Sequence, residues 1–299
     1  MKNLLRDISL VCAGLCLVAV AIISLRPHPD TSPVRSTAQR ENAPNVLDQA
    51  VWGQVFTDEF SETTLDTTKW VTCYDWRVSE AGGCTNPGNQ EQEWYMDNHI
   101  TVGGGAATLT ATREPVTITE NGQSKTYSYQ SGMISTGRPN TTADVKWSGT
   151  YGYYEARMKV QGGQGVWPAF WLLPTSQKWP PEIDIMELLG GRTNRILLTS
   201  HWADALGKSK EDSSTITGPD FTKGWHTYAV NWQPGRIDWY IDGRMAKSVH
   251  SKNVSSEPME IILNLAIGGR LPGNADSTTP FPRTAQIDYV RVYGLKLEQ

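Results

Sequence analysis

The fold is decided by the stretch Pro181-Glu182-Ile183-Asp184-Ile185-Met186-Glu187-Leu188-Leu189, in which three acids are interleaved with large apolar side chains. Apolar and acidic residues alternate from Glu182 to Met186, which is the period of a strand with one buried face and one open face. Glu187 lies five residues after Glu182, so regular alternation along the strand would place its side chain on the buried face. One extra residue at Ile185 or Met186, a β-bulge, returns Glu187 to the open face.

With the bulge, Glu182, Asp184 and Glu187 share one surface. Three neighbouring carboxylates repel one another, so a folded protein keeps them only if their pKa values are spread or an external group binds there. The same letters also fit a helix with Glu182 and Glu187 exposed, or a strand with ordinary solvated acids. The stretch predicts a carboxylate cluster but leaves these plainer structures open.

Residues 1–25 have the features of an export segment. Lys2 and Arg6 precede an uncharged run from Ile8 to Leu25, and a helix of that length spans about 27 Å, close to the thickness of a hydrocarbon core. Ala19-Val20-Ala21 offers a cleavage triplet, but the isoleucines that follow disfavour cleavage. The segment is therefore predicted to be either a signal peptide or an N-terminal membrane anchor, with the rest of the chain periplasmic or extracellular.

Residues 26–50 are predicted to be a flexible linker, because they are rich in Pro, Ser, Thr and Asn. Residues 51–299 have the length of one large all-β domain. The whole chain carries a net charge of -4, and the first 26 residues hold three cations and one acid, so the remainder is more acidic still. This charge argues against a nucleic-acid partner.

The exported part contains two cysteines, Cys73 and Cys84. In an oxidising compartment they can close a short disulfide loop, and otherwise they are free thiols. No cysteine and histidine spacing suggests a zinc site.

The body of the chain has the pattern of short strands, since no long segment shows a 3.6-residue period and Gly, Pro, Asn and Asp divide it. The clearest runs are Ala107–Thr112, Tyr151–Val160, Ile196–His201, Trp225–Trp232, Met259–Ile267 and Gln286–Tyr293. Arg236–Ile241 followed by Asp242-Gly243 predicts a hairpin, because Asp-Gly supplies the positive φ values of a two-residue turn. Together these runs predict an antiparallel sandwich or barrel.

Tryptophan is abundant, with 12 in the chain, and most are expected in the core. Trp167 and Trp171 follow a glycine-rich turn and lie shortly before Glu182. Rings at the edge of a groove can stack on the apolar faces of sugars, with their N–H groups free to bond hydroxyls. We favour a sugar platform for this pair over simple core packing.

Five motifs resemble glycoside hydrolase family 16, in particular its bulged, laminarinase-like (endo-β-1,3-glucanase) branch. They are Thr57–Phe60, Tyr154–Lys159, the acidic motif with the preceding Trp167–Trp171, Leu263–Gly269 and Ile287–Tyr293. One departure is Pro181, which stands where a glycine is usual and stiffens the chain before Glu182. Trp179-Pro180-Pro181 is expected to shape the loop that borders the cleft.

This resemblance implies an all-β fold, a jelly-roll sandwich of two curved antiparallel sheets (concanavalin A-like) with a concave carbohydrate cleft. It implies that the catalytic domain, residues 51–299, is a retaining endo-β-glycanase acting on internal β-1,3 or mixed β-1,3-1,4 glucan linkages. Glu182 is then the nucleophile, Glu187 the general acid/base and Asp184 their orienting partner, which suits the two-carboxylate chemistry of retaining enzymes. A β-linked polysaccharide is the expected partner, the chemistry needs no cofactor, and the protein is expected to be a monomer.

Further cleft residues follow from the same resemblance or from burial. Glu93 and Trp94 match a family stretch in the cleft or form an ordinary edge-strand pair, and Arg138 is a further cleft candidate. His201 bonds a sugar or the acid/base residue, or is structural. Asn264 lies in an apolar strand and needs a partner, either the cleft carboxylates or a neighbouring backbone group. The predicted substrate-binding residues are Trp167, Trp171, Glu93, Trp94, Arg138, His201 and Asn264.

Many family members also bind one structural Ca²⁺ on the convex side. The resemblance assigns its carboxylate ligands to Glu59 and Asp288, with backbone carbonyls completing an oxygen cage. Both residues also fit plain surface acids at strand ends.

Two other functions remain open. The same fold and acids suit a β-glycanase or transglycosylase that processes an exopolysaccharide. A non-catalytic carbohydrate-binding protein is disfavoured, because that function would tolerate a damaged acid motif and all three acids are intact.

Overall fold

The computed structural model describes Leu47 and residues 51–74, 76, 82–140 and 142–296. The predicted export segment and all of the linker except Leu47 lie outside these residues. No helix in the described part has the length and apolar character needed to cross a bilayer.

Eighteen strands account for most of the described chain, with two short 3-10 helices at Pro87–Asn89 and Asp97–His99. In chain order the strands are β1 (Trp52–Asp58), β2 (Glu93–Tyr95), β3 (Ile100–Gly103), β4 (Ala106–Ala111), β5 (Val116–Glu120), β6 (Gln123–Tyr127), β7 (Tyr129–Ser131), β8 (Met133–Ser135), β9 (Gly152–Val160), β10 (Val166–Pro174), β11 (Glu182–Leu188), β12 (Arg195–Ala203), β13 (Ser209–Thr217), β14 (His226–Gln233), β15 (Arg236–Ile241), β16 (Arg244–His250), β17 (Met259–Ile267) and β18 (Arg283–Leu295).

Two antiparallel sheets form the sandwich. One has the order β16-β15-β14-β9-β18-β4-β3, with β1 also paired to β18, and the other has the order β13-β12-β11-β10-β17-β8. Their facing sides bury one large apolar cluster that includes Phe170, Ile183, Trp239 and Val290. The predicted antiparallel sandwich is therefore confirmed, and the acidic stretch is a central strand, β11, of the six-stranded sheet.

The predicted strands are present to within a few residues at either end. β17 has the predicted bounds, and the hairpin of β15 and β16 turns at Asp242 and Gly243, whose φ values are 50° and 71°. β13 was not predicted, because its sequence is polar on both faces and carries no apolar alternation. It lies at the edge of the six-stranded sheet, where strands tolerate such a composition.

A second apolar cluster lies on the other side of the six-stranded sheet. Cys73 and Cys84 are joined in a disulfide there, with their Cα atoms 5.7 Å apart. The cluster also contains Tyr74, Tyr95 and Trp171. The loop that precedes β2 is thereby fixed against the face that carries the carboxylates.

Candidate active site

The bulge predicted at Ile185 or Met186 is present in β11. The pairing with β10 skips Ile185, because the successive residues Phe170 and Trp171 pair with Met186 and Asp184. The pairing with β12 shifts at the same place. Ile185 and Met186 both remain in the main core, and Glu187 keeps the face of the two earlier acids.

Glu182, Asp184 and Glu187 line one cleft of about 710 Å³ on the face of the six-stranded sheet. Its floor is formed by β10 to β13, and its walls come from the segment before β2, the loop between β10 and β11, and the segment after β17. The wall residues include Asn86, Asn89, Trp179 and Arg270. The prediction of a cleft with three acids on one surface is confirmed, and the helical alternative is wrong.

Glu182 and Asp184 are tied together through His201. The Nε2 atom of His201 lies 3.2 Å from an Asp184 carboxylate oxygen and 3.7 Å from a Glu182 oxygen, while its Nδ1 is 3.6 Å from Glu211. Trp179 donates from Nε1 to the other Glu182 oxygen at 2.7 Å. His201 therefore contacts Glu182 and Asp184, whereas the resemblance pointed to Glu187 or a sugar.

Glu187 is held by a tryptophan of the predicted sugar platform. Trp167 donates from Nε1 to a Glu187 oxygen at 3.1 Å, and Trp171 donates to the side-chain oxygen of Asn264 at 2.9 Å. Both rings line the cleft. The expectation that their N–H groups are free for sugar hydroxyls is wrong, so any stacking on a sugar uses ring faces.

Burial is the largest influence on the pKa of each acid. It raises the pKa of Glu187 to about 8, with the negative charge of Glu182 adding to the rise and the bond from Trp167 opposing it. Burial and the charge of Asp184 raise the pKa of Glu182 well above its usual range, although His201 and the hydrogen bond from Trp179 oppose the rise. Burial and the charge of Glu187 likewise raise the pKa of Asp184. The cluster therefore keeps at least one proton near neutral pH.

The three side chains differ in what stabilises their ionised forms. The Glu182 side chain is 17% exposed against 5% for Asp184, and it has both His201 and the Trp179 N–H beside it. Glu187 has one donor, Trp167, and is 8% exposed. Burial raises the pKa of both glutamates, which by itself does not separate their roles. The greater exposure and the additional donors at Glu182 favour the anion there, so Glu187 is the better place for the proton.

Two of the predicted substrate-binding residues, Glu93 and Trp94, lie away from the cleft surface. Glu93 is fully buried, accepts a hydrogen bond from the Ile267 backbone N–H at 2.7 Å, and has its pKa raised well above the usual range by burial. Trp94 donates to the Gly82 carbonyl at 2.9 Å and packs on Tyr127. Neither lines the cleft, so the family stretch around them supports the wall and does not form its surface.

Arg138 and Asn264 also lie outside the cleft surface. Arg138 donates to the Thr175 carbonyl at 2.9 Å, just beyond the end of β10. Asn264 donates to the Tyr95 hydroxyl at 2.9 Å in addition to accepting from Trp171. The need for a partner at Asn264 is confirmed, but the partners predicted for it, a carboxylate or a backbone group, are wrong.

Glu59 and Asp288, the proposed calcium ligands, are each paired with an arginine. Arg291 bonds both Glu59 oxygens at 2.7 and 2.9 Å, and Arg157 bonds Asp288 at 2.6 Å inside the sandwich. Each carboxylate is thus paired with a guanidinium in the folded chain, and the pairing satisfies the charge that a hard cation would otherwise neutralise. The two carboxylates therefore do not fit the predicted calcium site.

The expectation that Trp179-Pro180-Pro181 shapes the cleft border is confirmed by Trp179. Asn89 and Glu211 also line the cleft and were not predicted. Glu211 lies on the polar strand β13, and Asn89 closes a 3-10 helix that the sequence marks only by an Asn-Pro-Gly turn signal. Neither residue sits in an apolar alternation, so only their place in the fold identifies them.

Comparison with known proteins agrees with this geometry. Residues 89–291 match the family Glycosyl hydrolases family 16. An endo-1,3-1,4-beta-glycanase (ExsH) from Rhizobium meliloti (strain 1021) is 32% identical over 261 residues, which cover 83% of this chain and 53% of the relative. A beta-glucanase from Rhodothermus marinus is 30% identical over 268 residues, covering 81% and 85% of the two chains.

A solved structure has the same fold. The catalytic domain of an endo-1,3-beta-glucanase (laminarinase) from Thermotoga petrophila RKU-1 aligns with a TM-score of 0.69 and 32% identity, over 82% of this chain and 99% of that one. This confirms the predicted jelly-roll sandwich. The chain spans about half the length of the first two curated relatives it matches, 53% in each case. Because the family match covers more than half of the chain and includes the carboxylate strand, this chain belongs to glycosyl hydrolase family 16.

Proposed function

We propose that this protein is a retaining endo-β-glycanase that hydrolyses internal β-1,3 linkages of β-glucans, including mixed β-1,3-1,4-glucans. The observation that carries the proposal is the side-by-side placement of Glu182, Asp184 and Glu187 on the cleft face of β11. The relatives described above, an endo-1,3-1,4-beta-glycanase and an endo-1,3-beta-glucanase, support these linkages.

The first step needs one ionised and one protonated carboxyl. The Glu182 carboxylate attacks the anomeric carbon while Glu187 gives its proton to the leaving glycosidic oxygen, so that a glycosyl ester forms on Glu182 and the leaving chain departs with a hydroxyl. A pKa of about 8 at Glu187 supports the acid role at neutral pH. The donors around Glu182 support the nucleophile role.

The second step reverses these roles. Glu187, now ionised, removes a proton from a water molecule, whose oxygen attacks the anomeric carbon and releases the Glu182 carboxylate. A sugar hydroxyl in place of water would give transglycosylation. Only side chains of this protein take part, so the proposed chemistry needs no cofactor.

Asp184 and His201 are proposed to orient the nucleophile. Asp184 lies between the two glutamates on the strand, and His201 bridges Asp184 and Glu182 at 3.2 and 3.7 Å. His201 lies beside one Glu182 oxygen and Trp179 bonds the other. These two contacts limit the side-chain rotamers that Glu182 can adopt. Removal of the imidazole is therefore expected to lower the rate more than the affinity for substrate.

A substrate panel tests the activity. The purified protein is incubated with laminarin, mixed-linkage β-glucan, agarose, carrageenan and a succinoglycan-type polymer, and the products are sized and their linkages determined. We expect rapid loss of chain length with β-1,3-containing glucans. Products longer than the substrate would indicate a transglycosylase. Cleavage of the succinoglycan-type polymer alone would indicate exopolysaccharide processing. Binding without turnover would indicate a carbohydrate-binding protein.

The stereochemistry and the role of Glu187 have a separate test. In a Glu187→Ala variant, azide is expected to restore part of the turnover and to yield a β-glycosyl azide, because the small anion needs no general base. Wild-type products observed by proton NMR in the first minutes should be β-anomers. An α-configured azide or an initial α-anomer would contradict retention.

Location and assembly are part of the same proposal. We infer export to the periplasm or the cell exterior, with residues 1–25 as a signal or an anchor. The Cys73–Cys84 disulfide supports an oxidising compartment. Cell fractionation with a carbonate wash separates an anchored from a released protein, and light scattering tests the expected monomer.

A further inference from the structure

Two side chains from the opposite sheet reach the backbone around the bulge. Trp239, on β15, donates from Nε1 to the Asp184 carbonyl at 2.9 Å. Lys247, on β16, donates from Nζ to the Leu198 carbonyl of β12 at 3.0 Å. Both donors cross the core of the sandwich, and both acceptors belong to the strand pair that contains the bulge.

The two acceptors lie where the bulge interrupts the pairing of β11 with β12. Asp184 pairs with Thr199 and Glu187 pairs with Leu197, so Leu198 is opposite the extra residue. A bulge disrupts the ladder locally, and a buried carbonyl left without a donor costs about 1–3 kcal/mol. Trp239 and Lys247 supply donors at this place.

Lys247 is an unusual residue for this position. Its side chain is only 6% exposed, and its ammonium also contacts Asp212, at 2.5 Å from the backbone carbonyl and 3.0 Å from the carboxylate. Burial lowers the pKa of Lys247, while Asp212 opposes that change. The Asp212 side chain is 46% exposed, but the lysine side chain itself is buried. A buried ammonium is costly unless it is paired and hydrogen-bonded, so its presence beneath β12 and β13 calls for a role other than packing.

Trp239 and Lys247 act as one unit. They are direct cross-strand partners in the β15–β16 hairpin, and the Lys247 ammonium lies 4.7 Å from the centroid of the Trp239 ring. Each side chain therefore fixes the other against the six-stranded sheet. Together they hold both strands that border the bulge.

We propose that Trp239 and Lys247 are positioning residues that fix the bulge of β11 and thereby hold Glu187 on the cleft face. They touch neither the substrate nor the reacting carboxyls, and act through the backbone at Asp184 and Leu198. The inference rests on the proposed function, because it assigns a cause to the placement of the acid/base residue. A misplacement of about 1 Å can cost about 100-fold in rate.

The first test compares matched tryptophan variants. Trp239→Phe removes the indole donor and keeps an aromatic ring in the core. Trp232→Phe makes the same change in the neighbouring strand β14. The Trp232 indole N–H bonds the carbonyl of Ser255, which does not belong to the carboxylate strand. Both tryptophans are fully buried. We expect Trp239→Phe to lower kcat by about 10-fold or more with KM within about twofold, and Trp232→Phe to leave kcat near wild type. Equal losses in both variants would overturn the proposal.

The second test asks whether the effect passes through the bulge. Lys247→Met is made in the wild-type chain and in a chain lacking Ile185. We expect kcat to fall by about 10- to 100-fold in the first background and to change little in the second, because the shortened strand has no bulge to hold. An equal loss in both backgrounds would show that Lys247 acts elsewhere.

Crystal structures of Trp239→Phe and Lys247→Met give a readout that does not need turnover. The proposal expects the Glu187 carboxylate to move out of hydrogen-bond reach of Trp167 Nε1, which it meets at 3.1 Å in the intact protein. An unchanged Glu187 in both variants would refute the positioning role, even if the wild-type protein cleaved none of the glucans. A wild-type protein that cleaves none of them would refute the proposed function alone.

Discussion

Replacing Glu187 by glutamine is expected to abolish turnover and yet to stabilise the domain at pH 8. Glutamine resembles the protonated carboxyl in shape and can still accept the hydrogen bond from Trp167, but it carries no charge to bury. The folded protein raises the pKa of Glu187 from its ordinary value of 4.5 to about 8. Folding therefore favours the protonated form, and the ionised form is a cost to the folded state.

Proton linkage determines how the stability of the domain changes with pH. Between pH 4.5 and about 8 the folded state binds more protons at Glu187 than the unfolded state does, so stability falls as pH rises through this window. Below the window the cost is absent, and above it the cost is complete. A pKa change of that size sets an upper limit of about 5 kcal/mol. Since Glu182 can relieve part of the repulsion by taking up a proton itself, we expect about 2 kcal/mol.

Thermal unfolding of the wild type and Glu187→Gln at pH 5 and pH 8 measures this gain. About 2 kcal/mol corresponds to a rise of about 4–8 °C in Tm at pH 8 for a domain of this size, with a much smaller rise at pH 5. Glu62→Gln, at an exposed position, serves as the control and should show no such difference. A Glu187→Gln variant that gains equally at both pH values, or loses stability at pH 8, would refute the assignment of the cost to a buried charge.

The remaining predictions concern single contacts of the cleft. Glu182→Gln is expected to lower kcat by more than about 1,000-fold, because the covalent step loses its nucleophile; wild-type activity in this variant would remove Glu182 from the mechanism. Trp167→Phe removes the donor that opposes the rise in the pKa of Glu187, so the basic limb of the kcat/KM profile should move to higher pH; a move to lower pH would contradict it. Asn264→Ala leaves the buried N–H of Trp171 without its acceptor and should cost about 1–3 kcal/mol in urea unfolding; an unchanged midpoint would show that another group or water replaces the amide.

The strands that the sequence predicted share a local cause. β17 is a nine-residue run that is apolar except for Glu260 and Asn264. The β15–β16 hairpin turns at Asp242 and Gly243, which adopt the positive φ values that the turn requires. The bulge in β11 was predictable for a similar reason, because three acids and their apolar neighbours cannot all face the correct sides with strict alternation. In each case a few consecutive residues contain the whole signal.

The contacts that the sequence could not predict join distant segments. Asn264 meets Tyr95 and Trp171 across three strands, and no local pattern ranks these partners above a carboxylate. The arginines on Glu59 and Asp288 are likewise far away in the chain, which is why the acids alone suggested a cation site. Burial and partner choice at these positions are properties of the assembled sandwich.

The acidic cleft depends on the apolar side of the same strand. β11 must bury its isoleucines against the opposite sheet and present three carboxyls to the cleft, and the extra residue at Ile185 satisfies both demands. That solution leaves backbone carbonyls at an interrupted ladder inside the protein. Trp239 and Lys247 reach backbone carbonyls at this place from the core side, while Trp167, Trp179 and His201 bond the carboxyls on the cleft side. The bulged strand is thus supported from the opposite sheet, by a hairpin whose residues do not line the cleft.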